Sequence, residues 1–168
     1  DVNRLITETI AHLPPIQWEY AVSRTLSPYV HGEIGDTVGM TFNDGQGRPV
    51  RNTLTFTPPQ GHLTRFGNMP RSYTRFHADT LGRAGTIAFN EFIAPGFLMP
   101  RFNMAVKSLM DRKGIIIDLR GNLGGIIDMA GGMAGWFIGE KNRDLGTLMT
   151  RDNIKTLTVR PRRPGYTG

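Results

Sequence analysis

The segment "KGIIIDLRGNLGGIID", residues 113 to 128, restricts the fold of this chain more than any other. Its run of isoleucines predicts a fully buried strand that ends at Asp118. Apolar residues at helical spacing predict a helix from about Ile126 to Ile138. The glycines between these two elements permit a sharp turn. The chain must therefore pass from a buried strand into a helix across the short segment 118–125, which we call the 118–125 turn.

The sequence upstream of this turn has a similar order of elements. The segment "GTIAFNEF", residues 85 to 92, predicts a strand, and the apolar spacing from Phe102 to Met110 predicts an amphipathic helix after it. An order of strand, helix, strand and helix predicts a parallel sheet with crossover helices. Ligands bind such sheets beyond the carboxyl ends of the strands, so the 118–125 turn is the candidate functional site.

The chemistry of the 118–125 turn suits the binding of an anion, or of a developing oxyanion, by backbone N–H groups. The same residues also suit a plain turn between a strand and a helix, in which glycine is needed only for its geometry. The turn matches neither of the phosphate-binding patterns G-x-x-x-x-G-K-[ST] and G-x-G-x-x-G. We therefore expect no nucleotide site.

Composition argues against several other classes of function. The chain has no cysteine, and its four histidines are too scattered to predict a zinc site. The net charge is +6, but the densest basic cluster is accompanied by Tyr166 alone, which is weak support for a nucleic-acid surface. That cluster consists of Arg160, Arg162 and Arg163. No apolar run approaches the roughly 20 residues that span a bilayer. We expect no metal, no cofactor, no nucleic acid and no membrane span, and isolated carboxylates such as Glu91 are expected to lie in solvent or to cap helices.

The chain divides by its pattern into two regions and a linker. Two helices, the second over Trp18–Leu26, and a β-hairpin with a turn signal at Asp44 account for residues 1–57. Residues 58–80 contain repeated prolines and glycines and predict a linker. Residues 81–168 contain the strands and helices described above.

Residues 113 to 138, "KGIIIDLRGNLGGIIDMAGGMAGWFI", resemble the core of the S41 serine peptidases, the C-terminal-processing or tail-specific proteases. That family has a strand ending in D-L-R-x-N-x-G-G, and here the pattern is filled by Asp118, Leu119, Arg120, Asn122, Gly124 and Gly125. The segments "AGTIAFNEF" and "FNMAVKSLM" are similar to the preceding strand and helix of the family. The segment "WEYAVSRTLSPYVHGEIGDTVGMTF" resembles the last helix and strand of a PDZ module. The resemblance implies an α/β fold with ClpP/crotonase-like strand–helix repeats around a largely parallel, incomplete sheet, preceded by a partial PDZ-like α+β segment.

The resemblance also implies a serine-type endopeptidase that hydrolyses peptide bonds through a Ser/Lys mechanism. The oxyanion-hole candidates are the backbone amides of Gly124 and Gly125, and Asp118, Arg120 and Asn122 would support the turn. The implied substrate is a peptide or protein, without a cofactor. The implied location is periplasmic, in the cell envelope or secreted.

The sequence departs from the family at its reacting groups. The family's nucleophile lies in a small-residue G-S-A-S-type turn with a lysine further on, and none of this chain's serines occupies such a turn. Those serines are Ser23, Ser27, Ser72 and Ser108. We therefore expect the chain to be a fragment that is inactive alone and that pairs with the remainder of its catalytic domain or with a second copy. Two other interpretations stay open: a non-catalytic S41-like protein that binds peptides or hydrophobic ligands, and an unrelated basic interaction module.

Overall fold

The structure is a computed structural model that describes residues 2–26 and 29–168. It is a mixed α/β protein with several small sheets. The chain divides into two units, Asp1–Pro59 and Gln60–Gly168. Across the described ranges, no helix combines the length and the apolar composition needed to cross a membrane.

The first unit consists of short helices and a β-hairpin. Its elements are α1 (Val2–Ile10), a 3-10 turn (Pro15–Gln17), α2 (Trp18–Leu26), β1 (Thr37–Asn43) and β2 (Pro49–Thr55). The carboxylate of Asp44 closes the hairpin turn by accepting hydrogen bonds from the backbone N–H groups of Gln46 and Arg48, at 2.8 and 2.9 Å. The predicted second helix and the predicted hairpin are confirmed. None of the side chains described in this unit is buried.

The second unit contains a mixed sheet and two antiparallel strand pairs. Its elements are β3 (His62–Thr64), β4 (Ser72–Thr74), β5 (Phe76–Leu81), β6 (Ala84–Phe89), α3 (Pro95–Ser108), β7 (Gly114–Asp118), α4 (Ile127–Ala134), β8 (Asp144–Met149) and β9 (Ile154–Thr158). Strands β5, β6 and β7 form one sheet in that order, whereas β3 pairs with β4 and β8 pairs with β9. The sequence pattern predicted β6, α3, β7 and α4 but not the β8–β9 hairpin.

Strand β6 and helix α3 supply most of the core. Alternate residues of β6 are buried, among them Ile87 and Phe89, because successive side chains of a strand point to opposite faces. The buried cluster comprises Ile87, Phe89, Leu98, Phe102, Ala105, Val106, Leu109, Met129, Met133 and Trp136. Helix α3 returns the chain so that β7 pairs with β6 in parallel. The carboxyl ends of both strands therefore lie at the same edge of the sheet, which places the 118–125 turn beside the residues that follow β6.

The sheet contains an antiparallel pair that we did not expect, and its strand β7 is more exposed to solvent than we expected. Strands β5 and β6 pair antiparallel, because only Gly82 and Arg83 join them. The prediction that the isoleucine run is fully buried was wrong, because β7 lies at the edge of the sheet and Ile116 is 50% exposed. Helix α4 is also shorter than the predicted helix and ends at Ala134.

Residues 58–80 contain β3, β4 and most of β5 where we expected a linker. The hydroxyl groups of Thr64 and Thr74 are buried and lie 2.7 Å apart in a hydrogen bond. Gly67 and Pro70 lie between the short strands β3 and β4, which belong to the second unit. The boundary between the two units falls at Pro59 and Gln60.

Glu91 is buried, although we expected it to lie in solvent or to cap a helix. Its side chain is 3% exposed, and its Oε1 atom accepts hydrogen bonds from the hydroxyl groups of Thr74 and Ser72. Ser72 and Thr74 are two residues apart in β4, so both side chains leave the strand on one face. That spacing of hydroxyl residues is the sequence signal that could have predicted partners for this carboxylate.

Candidate functional site

An ion pair opens the 118–125 turn. The Arg120 guanidinium binds both carboxylate oxygens of Asp118, at 2.7 to 3.1 Å, and the backbone N–H of Arg120 donates to the same carboxylate at 3.0 Å. The side-chain hydrogen bond from Arg120, followed by the backbone hydrogen bond, lowers the pKa of Asp118 to about 2. The carboxylate is therefore held in its ionised form, and its hydrogen bonds fix the first bend of the chain after β7.

The side chain of Asn122 ties the 118–125 turn to the end of β6. Its Nδ2 donates to the carbonyl oxygen of Phe89 at 3.0 Å, and its Oδ1 accepts from the N–H of Gly124 at 2.8 Å. The neighbouring backbone adds a further connection, because the N–H of Leu123 donates to the carbonyl of Asn90 at 3.0 Å. Asn122 thus bridges two segments that are far apart in sequence.

Both glycines at the end of the turn have backbone conformations that favour glycine, with φ +83° at Gly124 and φ +140° at Gly125. A Cβ atom at Gly125 would also lie 2.5 Å from the carbonyl oxygen of Phe92. Glycine is therefore required at position 125 for two reasons, its backbone conformation and the close approach of the Phe92 backbone. Nothing lies within 4 Å of the Cβ position at Gly124, so only conformation requires glycine there.

The direction of the Gly125 amide follows from its hydrogen-bonded neighbours. The N–H of Phe92 donates to the carbonyl of Gly124 at 2.7 Å, and the N–H of Ile126 donates to the carbonyl of Phe92 at 2.7 Å. In a planar trans peptide the N–H points opposite to the C=O. The N–H of Gly125 and its own carbonyl must therefore both point away from Phe92.

The two glycine amides differ in whether they can bind a ligand. The N–H of Gly124 is already hydrogen-bonded to Asn122 within the turn. Within residues 2–26 and 29–168, no acceptor is found for the N–H of Gly125, and this residue is exposed. The turn therefore presents one outward-facing donor and one outward-facing acceptor from the same residue.

Exposed hydrophobic side chains precede and follow Gly125 along the chain. Four large hydrophobic side chains on β7, the turn and α4 are between 42% and 60% exposed. They are Ile116, Leu119, Leu123 and Ile127. A backbone donor and acceptor with exposed apolar residues such as Leu123 and Ile127 on either side in the chain can pair with an extended peptide, as an additional strand would at a sheet edge.

The five predicted site residues all lie in the 118–125 turn, and the serines that the structure describes form their hydrogen bonds elsewhere. Ser72 donates to Glu91, and Ser108 donates to the carbonyl of Ala105. Ser27 and the side chain of Ser23 lie outside the described residues. In the described parts of the chain, no serine is hydrogen-bonded to a lysine or a histidine, and no group of three His, Asp or Glu side chains could hold a metal ion.

Sequence reasoning missed the residues on the β6 side of the site. Asn90 accepts a hydrogen bond from the N–H of Arg75 at 2.7 Å and donates to the carbonyl of Tyr73 at 3.0 Å, which holds the end of β6 against the chain around β4. Phe92 contributes its backbone alone to the geometry at Gly125, so no side-chain pattern could indicate it.

Comparison with known proteins does not assign this chain to a family. No protein-family model matches the sequence, and no curated protein matches it significantly.

Proposed function

We propose that this chain is part of a serine-type endopeptidase related to the S41 peptidases, and that it supplies backbone of the oxyanion hole. The observation that carries the proposal is the outward-facing N–H of Gly125, in the turn that follows a parallel strand, for which no acceptor is found among the described residues. A backbone donor fixed in this way binds the negative charge that develops on a peptide carbonyl during acyl transfer. Gly124 is the weaker candidate of the two, because its amide is bound to Asn122.

The supporting residues also fit this role. An oxyanion donor must not move while the charge develops. Asp118, Arg120 and Asn122 hold the turn through side-chain hydrogen bonds of 2.7 to 3.1 Å. The order β6, α3, β7 and α4 supports a ClpP/crotonase-like arrangement of the second unit, and the hairpin and helices of the first unit support a partial PDZ-like segment. The nucleophile and its lysine base would come from residues outside this chain.

The experiment expresses the protein from the full reading frame of its gene and measures peptide cleavage and labelling by a serine-reactive fluorophosphonate. We expect both, and we expect the 168-residue chain alone to show neither. Gly125→Ala places a Cβ against the Phe92 carbonyl, and we expect it to lower kcat by about 10²- to 10³-fold, the usual cost of losing an oxyanion donor.

Gly139→Ala is the matched control, because a Cβ at Gly139 meets nothing within 4 Å. Its activity should equal that of the unchanged protein. Equal activity of Gly125→Ala and Gly139→Ala would contradict the oxyanion role, and the absence of fluorophosphonate labelling from the unchanged protein would contradict the serine mechanism without reference to any variant.

A second function, a non-catalytic protein that binds peptides or hydrophobic ligands, is favoured by the exposed apolar residues that precede and follow Gly125 in the chain. The same N–H and carbonyl would then pair with a ligand that is not cleaved. This function predicts a peptide-dependent shift of the Gly125 amide resonance without cleavage or labelling in the same preparation.

A further inference from the structure

The second unit has an open groove of about 650 Å³ between the chain after β3 and the start of α3. We call it the basic groove, because the charged side chains that line it are Arg65 and Arg101 and its lining contains no carboxylate. His62 and the ring of Phe97 also line it. A second groove of the unit, about 910 Å³ beside α4 and β9, is lined by Lys155, Arg160 and Arg162 together with Asp128, which is paired with Lys155 at 2.8 Å. The basic groove differs from it because its lining contains no carboxylate.

A stack of three side chains fixes one cation in the basic groove. The rings of His62 and Phe97 are parallel within 5°, with centroids 4.4 Å apart. The guanidinium carbon of Arg101 lies 3.8 Å from the centroid of the Phe97 ring. Because the two separations leave no room for both groups on one face, His62 and Arg101 lie on opposite faces of Phe97. A cation–π contact together with the hydrogen bond from Arg101 to the Phe97 carbonyl, at 3.1 Å, limits the freedom of this arginine.

The cations of the basic groove have no carboxylate partner. Within the described ranges, neither Arg65 nor Arg101 forms a salt bridge. The carboxylate nearest along the hydrogen-bond network is that of Glu91, which lies behind the wall of the groove. It binds the hydroxyl of Thr74, which in turn is bonded to Thr64 of the groove lining. Two unpaired arginines in a concave site bind carboxylates through charge-assisted hydrogen bonds.

Ile93 connects the basic groove to the 118–125 turn. It is a buried residue that lines the groove, and its Cγ2 atom lies 2.7 Å from the position that a Cβ would take at Gly125. Gly125 and the groove are therefore neighbours, because both lie against the side chain of Ile93.

We propose that the basic groove is a specificity site for the carboxylate of a peptide that is bound at Gly125. Arg65 and Arg101 bind the carboxylate, and the Phe97 ring holds Arg101 in place. The carboxylate belongs to an acidic side chain of the peptide. This proposal rests on the proposed function, because it treats the groove as part of the same peptide-binding site.

The experiment is a titration of the ¹⁵N-labelled 168-residue chain followed by NMR. The probes are acetyl-Ala-Ala-Glu-Ala-amide, its Gln counterpart, and the Gln peptide with a free carboxyl terminus. A shift of the Gly125 backbone amide signal measures peptide pairing, whereas shifts of the arginine Nε–H signals of the basic groove measure carboxylate binding. We expect the Glu peptide to bind about tenfold more tightly than the Gln amide, as one charge-assisted hydrogen bond gives. The free-terminus peptide tells whether the carboxylate can come from the chain end instead.

Arg65→Gln and Arg101→Gln should bring the affinities of the Glu and Gln peptides to within about twofold of each other. Arg151→Gln is the matched control, since Arg151 is exposed outside the groove and the same charge is lost. Equal affinity for all three peptides, or an equal loss in Arg151→Gln, would overturn the specificity site.

The NMR signals of the Gly125 amide and of the arginine Nε–H groups separate this proposal from the proposed function. Shifts at Gly125 that do not depend on the carboxylate would leave the proposed function intact and overturn the basic groove. Shifts at the arginines without any at Gly125 would overturn both the shared peptide site and the role of Gly125, although the groove would still bind carboxylates. No shift at either place would overturn both proposals.

Discussion

The two units of this protein both contain helices and strands but differ in burial. The first unit has two α-helices and a hairpin of two seven-residue strands, yet none of its described side chains is buried. The second unit has a cluster built on β6, α3 and α4 in which Ile87, Leu98 and Val106 are fully buried. Helical and strand periodicity is thus present in both units, while among the described residues a packed core is found in the second unit alone.

This difference shows which interactions hold each unit. The hairpin of the first unit is held by its ladder and by the local hydrogen bonds of Asp44. The second unit adds apolar burial, at about 25 cal/mol per Å² of apolar surface, and a buried polar cluster at Glu91. The candidate site is on the second unit, where a rigid core can hold Gly125 in a conformation that other residues rarely adopt.

The largest expected effect compares one phenylalanine from each unit. Phe102→Ala removes a ring that is 1% exposed, and we expect it to lower the free energy of unfolding of the second unit by about 3 to 5 kcal/mol. Phe42→Ala removes a ring that is 50% exposed, and we expect about 1 kcal/mol or less. Urea unfolding followed by fluorescence measures both, because each unit has one tryptophan, Trp18 and Trp136. Similar losses of unfolding free energy in Phe102→Ala and Phe42→Ala would contradict the difference in burial between the two units.

A smaller effect is expected from the buried hydroxyl of Thr74. Thr74→Val removes one donor to the Glu91 carboxyl group while keeping the shape of the side chain, and leaving a buried acceptor short of a partner costs about 1 to 3 kcal/mol. Thr53→Val, an exposed position in β2 of the first unit, is the matched control and should be nearly neutral. The measurement is again the urea midpoint, and a neutral Thr74→Val would show that the cluster contributes nothing to stability.

The smallest effect is the acid titration of the turn. Folding lowers the pKa of Asp118 from 3.8 to about 2. The interaction with Arg120 therefore stabilises the folded state fully above the usual pKa of 3.8, and its contribution is lost as the pH falls through about 2. Carboxyl ¹³C NMR should give a midpoint near 2, and Arg120→Gln should return it toward 3.8. Asp44 in the first unit also has a lowered pKa, chiefly through the Arg48 backbone N–H, so it should be unaffected by Arg120→Gln. A titration midpoint for Asp118 that is unchanged in Arg120→Gln would contradict the assignment of its lowered pKa to Arg120.

Much of the local structure could be predicted from residue patterns. The helix Trp18–Leu26, the hairpin around Asp44 and the strand ending at Asp118 all follow from periodicity and turn residues. The buried state of Glu91 could not be predicted in that way, because its partners Ser72 and Thr74 belong to a segment whose prolines and glycines indicated a linker.

The sequence by itself determined where the candidate site lies and why glycine occupies its end, since a strand, a polar bend and paired glycines occur in that order from Asp118 to Gly125. Only the tertiary structure decided which glycine amide is free. The N–H of Gly124 is bound by Asn122, and the Phe92 backbone turns the Gly125 amide outward. The physical reason is that a hydrogen bond between residues distant along the chain orients the side chain of Asn122. Its Nδ2 donates to the carbonyl of Phe89, 33 residues earlier, and no local sequence pattern relates these two residues.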